Sequence, residues 1–275
     1  MLYTCKTLYE HQYLLFTLQP LVLGSSPTSI SSKALKQLIK QGLAPKIKAL
    51  CFHSPTTALI THVTNFTNLI SLTVLIGIHD FSKMLNLLPH SVVYLSIILE
   101  ASSSHSRFAR KLGELTIHTN FSLKTLKFIS NSCLKRTKKI SFLDTINSLY
   151  AKTDSERGFY ETKSLAKQVA MILAKLVYSS GQTLESLDLK MISLIQVYYA
   201  MKDQGYIMSP SSFPKLKIIN IHQTTMYSLP FLTYWLKICD QVVYSNDYLG
   251  TRYVLKLDEN GYLKVDQVAT KRTYN

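Results

Sequence analysis

The chain has 275 residues, 47% hydrophobic and 17% charged, with nine glycines and eight prolines, which argues against a disordered or collagen-like polymer and leaves ample apolar surface for a core. Its formal net charge is +15, and between Lys33 and Lys139 fifteen Lys/Arg face only Asp80, Glu100 and Glu114, a field that attracts acidic proteins, phosphate backbones or anionic membrane surfaces. Cys5, Cys51, Cys133 and Cys239 are widely spaced with no C-x-x-C pair, so neither a disulfide framework nor a zinc cluster is indicated and a reducing compartment is expected.

The opening stretch "MLYTCKTLYEHQYLLFTLQPLVLGSSP" is apolar from Tyr13 to Leu23. Glu10 and His11 stand where a secretory signal is basic, and Gln19-Pro20 interrupts the run. The longest other apolar run, Leu69 to Ile78, is too short for the ~20 residues of a membrane-spanning helix. The expectation is a chain without a transmembrane segment, cytoplasmic or nuclear.

"GSSPTSISS" at 24–32 is the first break, and a serine there can cap the helix "SKALKQLIKQGL", with Leu35, Leu38 and Ile39 on one face and Gly42 as its stop. Pro45 is expected to open a short strand, "KIKALCFH". From here an L-x-x-L-x-L spacing recurs: Ile47-Leu50-Phe52, Leu69-Leu72-Val74, Val92-Leu95-Ile97, Leu123-Leu126-Phe128, Leu184-Leu187-Leu189 and Leu216-Ile219-Ile221. The central residues step by 22, 23, 31, 61 and 32 positions, and the long step suggests a degenerate or inserted unit. Leu112-Leu115-Ile117 fits too, but lies too close to the next match for both to be full repeats.

The chemistry of the spacing is direct. Two apolar residues two apart in a strand point to one side and their neighbours to the other. The first apolar residue anchors the turn into the strand. Helix-like segments at 79–89, 160–181 and 224–240 lie between these rungs, the last with Pro230 in its first turn. Strand plus helix cannot bury its own apolar face, so stacked units and a parallel sheet are expected. The end, "RYVLKLDENGYLKVDQV", reads as a hairpin joined at Asn260-Gly261, which would cap the edge of the stack.

"SLKTLKFISNSC", "TLESLDLK" and "FPKLKIINI" resemble the irregular leucine-rich repeats of F-box/leucine-rich-repeat proteins of the fungal type, over roughly residues 45–245. "LYTCKTLYEHQYLLFTLQPLVL" resembles the tail of an F-box. The Leu-Pro-x-Glu start of that module is not in the sequence, so the resemblance implies a truncated or missing F-box. It also implies an α/β solenoid of parallel strands alternating with helices, organised as a helical lead-in with an F-box remnant (1–32), the repeat domain (33–250) and the hairpin cap (251–275). The function it implies is selection of a protein target for a cullin-type ubiquitin ligase, with the ligase adaptor as second partner.

No catalytic motif is present: there is no G-x-S-x-G, H-E-x-x-H, phosphate-binding glycine loop or dinucleotide fingerprint. The expectation is a non-enzymatic protein without cofactor, catalytic residues or metal ligands. Glu185 and Asp188 fall on opposite sides of a strand and do not form an acid pair. A repeat stack recognises partners through the outward residues of its strands, here Cys51, His53, Ser71, Thr73, Tyr94, Ser96, Thr125, Lys127, Ser186, Asp188, Lys190, Asn220 and His222. The densest basic run, Lys135, Arg136, Lys138 and Lys139, supports an alternative: nucleic-acid or anionic-lipid binding through the basic half.

Overall fold

The computed structural model of the chain describes residues 21–23, 32–52, 60–100, 121–130, 164–190, 194–222, 229–246 and 251–268. They fall into two compact units, Met1–Glu100 and Ala101–Asn275. Both are α/β, with mostly parallel strands. No helix among the described residues is long and apolar enough to cross a membrane.

In the first unit four parallel strands lie side by side in chain order: β1 (Leu21–Leu23), β2 (Ala49–Phe52), β3 (Ser71–Gly77) and β4 (Tyr94–Glu100). Helix α1 (Ser32–Lys40) precedes β2 and α2 (Ile78–Asn86) follows β3. Leu35 and Leu38 of α1 are buried while Lys33 and Lys36 are exposed, the expected division of an amphipathic helix. The helix stops where Gly42 takes φ +71, Leu43 N–H donates to Leu38 and Gly42 N–H donates to Ile39. That paired closure satisfies carbonyls the helix cannot, and it needs the left-handed backbone that glycine adopts without strain.

The second unit continues the same construction. Strands β5 (Thr125–Ser130), β6 (Ser186–Lys190), β7 (Ile218–His222) and β8 (Gln241–Asn246) are parallel neighbours in that order. Helices α3 (Ser164–Ser179), α4 (Leu194–Asp203) and α5 (Leu229–Leu236) intervene in the chain. Strand β9 (Thr251–Leu257) turns back antiparallel beside β8, and β10 (Leu263–Val268) pairs antiparallel with β9.

Inward residues are in register from strand to strand. Leu21, Leu50, Leu72 and Leu95 stand side by side in the first unit. Leu126, Leu187, Ile219 and Val242 do so in the second. Every residue of the six L-x-x-L-x-L rungs is buried. Two rungs escape the sequence pattern: β1 contributes Leu21, and β8 contributes Val242 and Tyr244 behind buried Cys239.

A backbone device recurs with the rungs. The carbonyl of Lys48 accepts hydrogen bonds from Ile70 and Ser71, at 2.8 and 2.9 Å, and that of Ile70 accepts from Val93 and Tyr94. In the second unit Lys124 serves Glu185 and Ser186, Glu185 serves Lys217 and Ile218, and Lys217 serves Gln241. Each acceptor lies two residues before the central apolar residue of its rung. Ahead of the anchors, side chains reach to the preceding rung. Asn68 Nδ2 donates to Pro45 O at 2.9 Å, Ser91 Oγ to Leu69 O at 2.7 Å and Thr183 Oγ1 to Leu123 O at 2.9 Å. Carbonyls at the bends between elements are thereby satisfied without water.

Four expectations need correction. Pro45 lies in a 3-10 turn, Ala44–Lys46, and the strand starts at Ala49, because proline's fixed φ and missing N–H suit a helical first turn rather than a ladder. Across the 61-residue step no strand is inserted between β5 and β6, which pair directly; residues 131–163 of that step lie outside the described ones. Helix α4, with Leu194, Val197, Ala200 and Met201 buried, was not among the expected helices. Finally, the hairpin loop is longer than Asn260-Gly261. Asp258 N–H donates to Tyr262 O and Gly261 N–H to Asp258 O, with Gly261 at φ +79. This is a three-residue loop with a left-handed glycine. The Asp258 carboxylate holds it by accepting from the amides of Asn260 and Tyr262 at 2.9 and 2.8 Å.

Candidate functional site

The parallel register that buries the leucines carries their neighbours to the opposite side. In the second unit, Lys127, Asp188 and Asn220 form one outward row across β5, β6 and β7. Thr125 and Ser186 form the row before it, beside Ile218, and Lys190 and His222 the row after it, beside Ile129. Strands β6 and β7 are bonded on both sides and β5 is bonded to β6, so these side chains are presented at the fixed spacing of the ladder.

Charge is organised around Asp188. Its Oδ2 lies 3.7 Å from Nζ of Lys127, and its Oδ1 lies 3.5 Å from Nε2 of His222. The Asp188 side chain is 18% exposed against 45% for Lys127, so the carboxylate sits low between taller neighbours. Its Oδ1 is buried and, among the described residues, accepts no hydrogen bond. Glu185, three residues earlier in the chain, pairs instead with Lys124 at 3.6 Å on the approach to the strands. Glu185 precedes β6, which begins at Ser186, so the strand pleat expected to separate it from Asp188 does not reach it.

The polar character ends at β8. Val242, Val243 and Tyr244 are all buried, so that strand is apolar on both sides, as interior parallel strands are. Beyond it Ser245 pairs with Arg252 of β9. The outward ladder thus runs Lys127, Asp188, Asn220 and then Val243, a boundary that the L-x-x-L-x-L pattern does not mark.

In the first unit Cys51, Thr73 and Ser96 form one outward row, and Ser71 stands beside Tyr94. Tyr94 is the most prominent of them, 46% exposed. Burial raises the Cys51 thiol above its ordinary value, which makes it a poor nucleophile. His53 and the basic run Lys135, Arg136, Lys138 and Lys139 lie outside the described residues. So do residues 2–20 of the stretch compared with an F-box (2–23), whose last three residues form β1, and Leu112-Leu115-Ile117.

Sequence reasoning passed over the aromatic residues on the helical side of the second unit. Tyr178 of α3 stacks on Tyr206 with ring centroids 4.2 Å apart, and Phe213 meets Tyr178 edge-on. Tyr198 of α4 meets Tyr234 of α5 edge-on at 5.0 Å, and the Tyr234 hydroxyl donates to Met208 O. Burial, with a smaller contribution from the neighbouring tyrosine, keeps the Tyr206 and Tyr234 hydroxyls above their ordinary range. These rings tie helices and loop together; their spacing across separate elements leaves no periodic trace. Among the described residues no group of His, Cys, Asp or Glu is arranged to hold a metal ion.

No protein-family model, curated protein or solved structure matches the chain.

Proposed function

We propose that the protein is a non-enzymatic recognition scaffold that binds a protein target through the outward residues of β5, β6 and β7, built as an irregular leucine-rich-repeat solenoid. The observation that carries this reading is the register. Lys127, Asp188 and Asn220 stand side by side, flanked by Ser186, Lys190 and His222, while Leu126, Leu187 and Ile219 fill the other side. The recurring carbonyl between rungs supports a repeat reading, because the same bond joins the same positions of successive units. Ser71, Thr73, Tyr94 and Ser96 form the corresponding outward set of the first unit, and Thr125 begins that of the second. On the resemblance to F-box/leucine-rich-repeat proteins, the target is a substrate of a cullin-type ubiquitin ligase and the adaptor binds the N-terminal lead-in.

The test has two arms. A triple variant, Ser186→Ala, Asp188→Ala and Lys190→Ala, should keep the circular dichroism spectrum and melting temperature of the parent and lose the protein that co-purifies with it from cells. Retention of every partner by that folded variant overturns the recognition surface. Purified ligase adaptor should bind the full chain and not one lacking residues 1–23; no binding to the full chain removes the ligase role and leaves the recognition reading standing. Steeply salt-dependent binding to nucleic acid or anionic vesicles, lost on neutralising Lys135, Arg136, Lys138 and Lys139, would move the function to a polyanion instead.

A further inference from the structure

The hairpin that follows β8 moves the problem of an unpaired strand outward. Among the described residues β10 pairs only with β9, and from Lys264 to Val268 every residue is exposed. Tyr262, Val265 and Val268 are prominent apolar side chains in this segment, 72%, 48% and 41% exposed. An open strand of this kind is a template for a further strand.

The backbone parity of β10 follows from its loop. Asp258 and Tyr262 are a hydrogen-bonded pair, and bonded and non-bonded pairs alternate along an antiparallel ladder. In the observed register Lys264 faces Lys256 and Asp266 faces Val254, so these residues direct their backbone groups toward β9. Leu263, Val265 and Gln267 direct theirs to the open edge.

We infer that β10 is a self-pairing edge, through which two copies of this chain join antiparallel about Val265. With Val265 facing its own copy, Leu263 meets Gln267, and each of these facing pairs exchanges two hydrogen bonds, about six in all. The alternate positions then match in charge and in apolarity. Lys264 falls opposite Asp266, and Tyr262 opposite Val268. Within one chain Lys264 and Asp266 already pair at 3.7 Å on the same face, so the two-fold arrangement makes an alternating four-charge cluster. The closer, non-bonded pairs of the ladder are the ones that bring these charges together. A shifted register would set Lys264 against itself or against an apolar residue. The segment YLKVDQV is therefore complementary to itself in one alignment, and that selects a second copy over an unrelated strand. The contact is isologous and closes, so it ends at a dimer rather than a fibre.

Sedimentation equilibrium of the full chain over a wide concentration range tests this. The expected result is a concentration-dependent species of twice the 31.3 kDa chain mass. Lys264→Asp and Asp266→Lys, each placing like charges opposite one another, should each weaken dimerisation by about tenfold or more. Mixing these two variants should restore a dimer, because the charges again alternate between unlike chains. Val265→Pro, which removes an edge N–H without touching the β9 bonds, should give a monomer with an unchanged circular dichroism spectrum. A chain that stays monomeric at all concentrations overturns the inference. So does a dimer indifferent to the charge reversals and the proline, or a failure of the mixed variants to associate.

Discussion

The imidazole Nε2 of His222 lies 3.5 Å from Oδ1 of Asp188, across the boundary between β7 and β6 and one diagonal from the residue directly opposite. Two residues 34 positions apart in the chain thus meet on the outward side of the second unit, with Lys127 closing the group from β5. The arrangement fixes the shape of the ladder more than it holds the fold. Ion pairs with solvent on one side contribute about 0–1 kcal/mol. Asp188→Asn should leave the urea midpoint nearly unchanged and reduce affinity for the co-purifying protein about tenfold or more. A large loss of stability with unchanged binding would assign Asp188 to the fold instead.

Leu187 is fully buried between Leu126 and Ile219, and its neighbour Ser186 points outward. Leu187→Ala should cost about 2–5 kcal/mol in urea denaturation. Ser186→Ala should fall within about 0.5 kcal/mol of the parent. Equal effects at the two positions would contradict the alternation.

Gly181 ends α3 in a space that admits no side chain. A methyl group there would stand 2.5 Å from the carbonyl oxygen of Ser212 and 3.1 Å from that of Tyr178. Both obstacles are backbone, so the loop itself must shift. Gly181→Ala is expected to destabilise by about 1–3 kcal/mol, as overpacking does, and to weaken near-ultraviolet dichroism from the Tyr178, Tyr206 and Phe213 cluster.

The Cys239 thiol is buried and pushed from an ordinary 9.0 up to about 12, first by loss of hydration and then by the charge of Asp240, against a hydrogen bond from Gln241 that lowers it. Folding therefore favours the protonated thiol. Its contribution is fully present below 9.0 and is lost as pH rises through about 12. Cys239→Val should flatten the decline of stability in that window relative to the parent. Peptide mapping after iodoacetamide at neutral pH should find Cys239 unmodified in the native chain and modified in urea.

Much of the fold was legible because a strand has a period of two. In each of the six rungs the inward pair is buried, as with Leu72 and Val74, Leu187 and Leu189, and Ile219 and Ile221. The rung at β8 was not legible, because "DQVVYS" has three consecutive apolar residues and no alternation to read. Helix α4 was hidden for a related reason, since its tyrosines and valine blur the difference between helix and strand patterns. The loop at Gly261 misled because Asn-Gly is the usual mark of a two-residue turn. Here the Asp258 carboxylate captures two amides and widens the loop.

The ladder at Asp188 was legible by position and not by partnership. The alternation put Lys127, Asp188 and His222 on one side of their strands; it did not put them together. Spacing along the chain carries no information on which strand lies beside which, and 60 residues separate Leu126 from Leu187 before their strands pair.

The sequence by itself determined which side chains are apolar at a period of two, and therefore which face each strand buries, because the energy of that choice is local to the strand. Only the tertiary structure decided the neighbours. Asp188 meets His222, β8 is covered on both sides, and β10 is left with an edge, because which strands become neighbours depends on packing between elements far apart in the chain, and the bonds that then join them, such as those to Lys124 and Glu185, are backbone ones. Those bonds use groups that every residue carries, so no side chain in the sequence announces them.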